Sequence, residues 1–141
     1  MNGDTSTTTP MSFVHEVLTG EFGRMAPELE DDGRVQPVYL PGGRYAVVIG
    51  QSSRTTITVR KMIGRPDFDR PGLADYLLTE HSRWLLGRFE RNEDALVVEH
   101  TLTLDALTPA TLVRTVRAVH EAATDGERTL IAIGALSEDE G

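Results

Sequence analysis

Apolar residues recur at helical spacing near the start of the chain. Val14, Leu18, Phe22 and Met25 follow one another three or four positions apart, so that they line one face of a helix. This pattern predicts a first helix that starts near Ser12.

The clearest helix start in the sequence lies much later, at Thr108 and Pro109. Threonine is a favoured N-cap residue, and proline is favoured at the first helical position. The pair Asp125-Gly126 predicts the end of this helix, because glycine commonly follows the last helical turn. Its apolar face is made by residues at helical spacing: Leu112, Val116, Val119 and Ala123.

Three extended segments with short connections lie between these helices. Val35–Leu40 contains Pro37, which has no N–H for a sheet ladder and therefore favours an edge strand. Tyr45–Gly50 is apolar on both faces, as a central strand is. Thr55–Ile63 alternates between apolar and polar residues, which is typical of a strand with one buried face. The short turns predict an antiparallel meander.

The second half of the chain adds a helix and a hairpin. Leucines at helical spacing predict a helix over Pro71–Ser82, with proline at its first position. Trp84–Arg91 and Ala95–Thr103 flank Asn92-Glu93-Asp94, a polar triplet of hairpin length. The predicted order is therefore α-β-β-β-α-β-β-α, an α+β fold in which helices pack on an antiparallel sheet.

The apolar segment Thr129–Leu136 follows the last predicted helix. We expect it to form either a sixth strand or an exposed interaction surface, and its residue types favour the strand. A single domain is predicted over 12–136, preceded by a disordered polar tail at 1–11 and followed by an acidic tail at 137–141.

Composition and charge exclude several classes of protein. The 141 residues include no cysteine, which excludes disulfide scaffolds and thiolate chemistry. A net charge of −8 argues against a nucleic-acid partner, because binding to phosphates depends on basic side chains. No apolar run approaches the ~20 residues of a membrane span. These features favour a soluble cytoplasmic protein without a membrane partner.

The four histidines do not form a recognisable catalytic or metal-binding motif. His15, His81, His100 and His120 each have a glutamate beside them, but no two histidines stand three or four positions apart. We therefore expect no enzyme activity, no metal and no cofactor. His100 is on the apolar face of its strand, where we expect a hydrogen-bonded core or interface residue.

Apolar strand faces exceed what three helices are expected to cover, which predicts a protein partner. Tryptophan and other large apolar residues are favoured as interface anchors. The candidate contact residues are Trp84, Leu86, Phe89, Val97, Leu130, Ile131 and Ile133.

A basic stretch offers an alternative site. Residues 54–70 hold five basic and two acidic side chains within an otherwise acidic chain. A solvated strand face explains this composition, and an anion-binding patch is the other possibility. The patch would serve a small-ligand or nucleotide-sensing regulatory domain, and its residues are Arg54, Arg60, Lys61 and Arg65.

The second half of the sequence resembles the YbjN and type III secretion chaperone-like family. The resemblance rests on Trp84–Phe89, on Ala95–Leu102 and on the helix start Leu107–Leu112. Two departures stand out: Ala110 occupies a position that is commonly acidic in the family, and Thr129–Leu136 extends past the usual last helix.

The resemblance implies a bacterial, cytoplasmic, homodimeric protein that binds other proteins and has no catalytic role. An extended segment of a partner protein would lie along sheet edges and in apolar grooves, with main-chain hydrogen bonds contributing affinity. The negative charge of this chain would favour basic partners.

Overall fold

A computed structural model describes residues 9–81 and 87–137 of the chain. The elements follow the predicted order, so the α+β fold is confirmed. They are α1 (Pro10–Phe22), β1 (Val35–Val38), β2 (Val47–Gln51), β3 (Thr56–Gly64), α2 (Leu73–His81), β4 (Arg88–Asn92), β5 (Ala95–Thr103) and α3 (Pro109–Ala132). Short 3-10 turns follow α1 at Gly23–Met25 and β5 at Leu104–Ala106.

The strands form one five-stranded antiparallel sheet in the order β1-β2-β3-β5-β4. The first three strands make the predicted meander, and the β4–β5 hairpin pairs with β3 through β5. Strand β1, which contains Pro37, lies at one edge as predicted, and β4 lies at the other. Central strand β3 therefore has neighbours on both sides.

The two faces of the sheet differ in character because side chains alternate along each strand. Ile57, Val59 and Ile63 of β3 are buried on the face that α1 and α3 cover. The opposite face is polar near its centre, where Thr58 bonds Thr101 at 3.0 Å and Arg60 bonds Glu99 at 2.8 Å. The core thus lies between the sheet and the α1–α3 layer.

Helix α1 begins earlier than the sequence predicted. The Thr9 hydroxyl accepts a hydrogen bond from the Ser12 N–H at 3.0 Å, and Pro10 occupies the first helical position. Met11 is buried against the core, so the predicted tail extended too far into the helix. The rest of that tail, residues 1–8, lies outside the described residues.

Helix α2 starts at Leu73, two positions after the predicted Pro71, because Pro71 and Gly72 form the preceding turn. Its predicted end at Ser82 and the predicted strand start at Trp84 lie outside the described residues. In the described residues, β4 begins at Arg88.

The predicted end of the last helix at Asp125-Gly126 is wrong. Helix α3 has 24 residues and continues to Ala132. Gly126 is an interior residue of α3, and it faces the sheet where the helix lies close to β3 and β4. A β-carbon at this position would lie 3.1 Å from Ile63 Cδ1 and 3.2 Å from Phe89 Cε1. A β-carbon would therefore be crowded at this position, so the glycine suits close packing and does not end the helix.

The predicted sixth strand over Thr129–Leu136 is also wrong. Leu130 continues the apolar stripe of α3 into the core. After α3 ends at Ala132, the chain turns at Gly134, whose φ of +80° suits glycine, and the Ala135 N–H bonds the Leu130 carbonyl at 2.8 Å. Ala135 and Leu136 are buried within this chain, so the segment completes its core.

The two helical glycines allow a matched test of this packing. We expect Gly126→Leu to lower the free energy of unfolding by about 1–3 kcal/mol, because the side chain must displace Phe89 and Ile63. Gly20→Leu should be neutral or stabilising by up to ~1 kcal/mol, because no atom lies within 4 Å of a β-carbon at Gly20. Urea unfolding of both variants measures the difference, and equal effects would contradict the packing role of Gly126.

Candidate functional site

An open groove of about 890 Å³ runs between α1 and α3 on the side of the helices that faces away from the sheet. Small and apolar residues form its floor because they bring little bulk to the space between the helices: Val17, Gly20, Pro109, Ala110, Val113 and Ala118. Charged residues form its rim: Glu16, Glu21, Arg114, Arg117 and Glu121. The groove therefore combines an apolar floor with a rim of both charge signs.

Some of the charged rim residues pair with each other, and others are available to contact a bound molecule. Arg117 bonds Glu21 across the two helices at 2.7 Å, and its guanidinium lies 5.0 Å from the ring centre of Phe22. Glu16 and Arg114 are exposed and have no ion-pair or hydrogen-bond partner in residues 9–81 and 87–137. They are the charges that an incoming molecule would meet first.

The outer edge of β1 is closed by the chain itself. The Val35 N–H bonds the Glu30 carbonyl at 3.1 Å, and the Tyr39 N–H bonds the Met25 carbonyl at 2.7 Å. Between them, Pro37 has no N–H to offer. Since the N–H groups on this side are either bonded or absent, a further strand would find no free donor along β1.

At the opposite edge of the sheet, the described residues place no further strand beside β4. In the described part of the chain, only β5 makes backbone hydrogen bonds to β4. On this strand Arg88 pairs with Glu90 at 2.9 Å, and both side chains lie on the polar face of the sheet. Nearby α2 exposes 73% of Leu78, the most exposed large apolar side chain among those described.

A buried polar cluster lies on the helix-covered face of the sheet. Lys61, the single lysine of the chain, is 2% exposed, and its Nζ lies 2.9 Å from Nδ1 of His120. The other ring nitrogen of His120, Nε2, lies 2.8 Å from the Pro41 carbonyl oxygen. A carbonyl only accepts, so Nε2 carries the proton and Nδ1 accepts from Lys61.

Burial dominates the electrostatics of this cluster. Loss of hydration lowers the pKa of Lys61 below its ordinary value of 10.5, and nearby Glu127 partly opposes that shift. Burial, followed by the charge of Lys61, lowers the pKa of His120 below 6.5. The bond to Pro41 and the charge of Glu121 act in the opposite direction. His120 is therefore neutral at pH 7.

The described histidines have separate environments. His15 lies 2.6 Å from the side chain of Gln36, whereas His100 accepts the Gly87 N–H at 3.3 Å. The hydrogen bond and half-buried position of His100 confirm the environment predicted from sequence. Within 9–81 and 87–137, no three His, Asp or Glu side chains are grouped so that they could hold a metal ion.

Comparison with solved structures identifies the fold. The complex of ExsC with ExsE matches with a TM-score of 0.66 at 16% identity, covering 87% of this chain and 97% of that chain. The HopA1–SchA chaperone–effector complex matches with a TM-score of 0.62 at 15% identity, covering 86% and 99%. This chain has the type III secretion chaperone fold.

YbjN from E. coli shares the same chaperone-like fold. It matches with a TM-score of 0.63 at 18% identity, covering 88% of this chain and 93% of YbjN. The resemblance predicted from the sequence is thus confirmed at the level of the fold. No protein-family model and no curated protein matches the sequence.

The chaperone-like fold buries three of the seven predicted contact residues. Phe89 and Val97 are 5% exposed and Leu130 is fully buried, so their apolar surface is already covered by this chain. Ile131 and Ile133 are partly buried against the core. Trp84 and Leu86, which were also predicted, lie outside the described residues.

The predicted basic patch is not formed by the chaperone-like fold. Arg60 and Lys61 are neighbours on β3 and point to opposite faces, where Arg60 pairs with Glu99 and Lys61 is buried. Arg54 and Arg65 lie beyond opposite ends of the same strand, and Arg65 pairs with Asp94 at 3.4 Å. Alternation and strand length therefore separate the four charges.

The α1–α3 groove was missed by the sequence analysis. Its signal was present in the small residues that face away from the core, namely Gly20 on α1 and Ala110 and Ala118 on α3. In the described part of the chain, no helix is long and apolar enough to span a membrane.

Replacing the buried lysine should change how stability depends on pH. The unfolded chain holds a proton on Lys61 up to about pH 10.5, whereas the folded chain releases it earlier, so stability rises with pH between the two pKa values. We expect Lys61→Met to raise the free energy of unfolding at pH 7 and to remove this rise. Urea unfolding from about pH 7 to about pH 10.5 tests both effects, and an unchanged slope would contradict the burial of a charged Lys61.

Proposed function

We propose that this chain is a protein-binding, chaperone-like module that holds a segment of a partner protein in the α1–α3 groove and does no catalysis. The observation that carries the proposal is the open apolar floor of that groove between two charged rims. Support comes from solved relatives of the fold, which include a chaperone–effector complex and the type III secretion chaperone SycH of Yersinia pestis in complex with a fragment of YscM2.

The chemistry of the groove defines the kind of segment that would fit. Apolar side chains of the segment would leave water on the floor formed by Val17 and Val113, which supplies the main driving force. A basic side chain would pair with Glu16 on one rim, and an acidic one with Arg114 on the other. Because the chain carries a net charge of −8, a segment that is basic overall would associate fastest.

The sheet edges add a second requirement to the proposal. An extended segment that adds to the sheet has no free N–H to meet at β1, because the chain closes that edge with Glu30 and Met25. We therefore assign strand addition to the edge of β4, and we assign binding of the partner segment to the α1–α3 groove. This separates the two contact modes that the family resemblance implies.

Filling the groove should abolish partner binding without harming the fold. We expect Gly20→Leu to weaken binding at least tenfold, because its side chain would project into the space that the segment needs. Gly20→Ala is the matched control, since it gains the same helical preference with almost no added bulk. The probe is a set of peptides selected on the wild-type chain from a displayed random library, with affinities measured by fluorescence anisotropy.

The outcome separates groove binding from general stickiness. Peptides that bind wild type and Gly20→Ala but not Gly20→Leu support the groove, and a basic excess among them supports the charge argument. Peptides that bind all three proteins equally would overturn the proposed site. A library that yields no specific peptide would contradict a segment-binding role.

We further propose that the protein is a cytoplasmic homodimer, joined through the open edge of β4. Two copies of β4 placed antiparallel about Phe89 would set Arg88 of each copy opposite Glu90 of the other, which gives two complementary charge pairs. Leu78 is exposed on α2, a helix that contacts β4, and we expect it to become covered in the dimer.

Solution mass tests the dimer. We expect the wild-type chain to have the mass of two 15.5 kDa copies, and Leu78→Glu to shift it toward one copy while leaving the circular dichroism spectrum unchanged. Leu78→Met, which keeps an apolar side chain, is the control and should remain dimeric. A monomeric wild-type protein at micromolar concentration would contradict the proposal.

A further inference from the structure

The loop between β1 and β2 is fastened to α3 and to the segment after it by three side-chain contacts. His120 Nε2 donates to the Pro41 carbonyl at 2.8 Å. Arg44 pairs with Glu127 at 2.8 Å, and its Nη2 donates to the carbonyl of Ser137 at 2.9 Å. The loop is thus held at Pro41 and at Arg44 by residues that are distant in sequence.

The middle of the loop covers the buried lysine. A β-carbon at Gly43 would collide with Lys61 Nζ and would also lie 2.9 Å from Lys61 Cε, so the backbone runs directly over the ammonium group. The hydroxyl of Thr124 lies 3.5 Å from that same position and is buried without a hydrogen-bond partner in the described part of the chain. A β-carbon here would displace the lysine head group, so glycine lets the backbone approach it this closely.

One proton decides how His120 serves the loop. In the neutral ring, Nδ1 accepts from Lys61 while Nε2–H donates to Pro41, so both bonds exist together. When Nδ1 also carries a proton, it has no lone pair for the lysine and brings a second positive charge to within 2.9 Å of the ammonium. Repulsion then acts on the residue that fastens Pro41.

We propose that His120 and Lys61 form a proton-operated latch, which holds the Pro41–Arg44 loop closed when the histidine is neutral and releases it when the histidine is protonated. The proposal is independent of partner binding in the α1–α3 groove. It depends on the geometry of the cluster, in which one ring links the loop to a buried cation.

The charges that face His120 compensate its protonation only in part, because Glu121 and the Pro41 bond favour the protonated ring while burial and Lys61 oppose it more strongly. From β3 it meets Lys61, and from its own helix Glu121 is adjacent in sequence. Asp125 and Arg128 line the same surface depression as His120, and they lie 4.0 Å apart. The loop contributes Arg44, which forms an ion pair with Glu127. From α1, Glu16 shares the groove with Glu121 and not with the His120 ring.

The direction of the effect follows from the shifted pKa of His120. Burial and Lys61 lower this pKa in the folded chain below 6.5, whereas the unfolded chain titrates at the ordinary value. The closed latch therefore predominates above pH 6.5, and the latch opens as the pH falls through the lower pKa of the folded state. Most carboxylates are still ionised at about pH 5, so a change in loop order between about pH 6.5 and about pH 5 reports mainly the titration of the histidine.

Backbone and ring NMR of the full-length chain, recorded from about pH 7.5 to about pH 5, tests the latch. At the upper end we expect a neutral His120 with its proton on Nε2, and backbone order parameters near ~0.85 for Gly42, Gly43 and Arg44. At the lower end we expect those order parameters to fall below ~0.6. The loss of order should have the same midpoint pH as the titration of His120, and β3 and β5 should stay ordered.

Two variants separate the latch from general acid instability. His120→Gln keeps an amide donor for Pro41 and has no titrating group, so its loop should stay ordered across the whole range. Lys61→Met removes the buried cation, so the His120 midpoint should move up toward 6.5 and the loop should stay ordered after protonation. Both results together support the latch.

Three results would overturn the proposal. The first is a wild-type loop that keeps its order after His120 has titrated, and the second is equal loss of order in His120→Gln. The third is a His120 ring that carries its neutral-state proton on Nδ1, because the lysine bond then does not exist. If His120→Gln fails to fold, the wild-type titration and Lys61→Met still decide the question.

Discussion

The contact between α3 and the sheet at Gly126 is the constraint on which the other features of the molecule depend. A helix normally keeps a side chain between its axis and a sheet, but here the absence of one lets Phe89 and Ile63 pack directly against the helix backbone. This contact fixes the height and direction of a 24-residue helix. The groove, the buried lysine and the C-terminal turn are all built on this helix.

Helix α3 serves two surfaces because its sequence divides cleanly between them. Its apolar stripe, which runs through Val116, Val119 and Leu130, packs into the core. The residues on the other side, including Ala110 and Arg114, form one wall of the groove with α1. A change on one side of this helix therefore need not disturb the other.

Local rules predicted much of this fold. The Thr108 cap, the Pro37 edge strand and the alternating faces of β3 are short-range effects, and all three are present in the structure. The predictions that were wrong concern contacts between residues distant in sequence. Gly126 looks like a helix end until Phe89 is placed beside it, and the patch with Arg60 and Lys61 looks continuous until the strand separates its members.

The candidate site was predicted less well than the fold for the same reason. A groove is the space that two helices leave between them, and no single segment encodes it. Gly20 and Ala118 are ordinary helix residues by themselves, and they become a floor only when α1 and α3 lie side by side. The buried pair of Lys61 and His120 is likewise invisible in a sequence where 58 residues stand between the two.

The closure of β1 by Met25, Glu30 and Pro37 limits how copies of this protein can associate. Edge-to-edge joining of sheets needs two free edges per molecule to continue without end, as it does in a fibril. A molecule with a single free edge can join only one neighbour in this way, and the joined pair then presents closed edges at both ends. The same short segment that shields one strand thus protects the chain from open-ended polymerisation, even at high concentration in a cell.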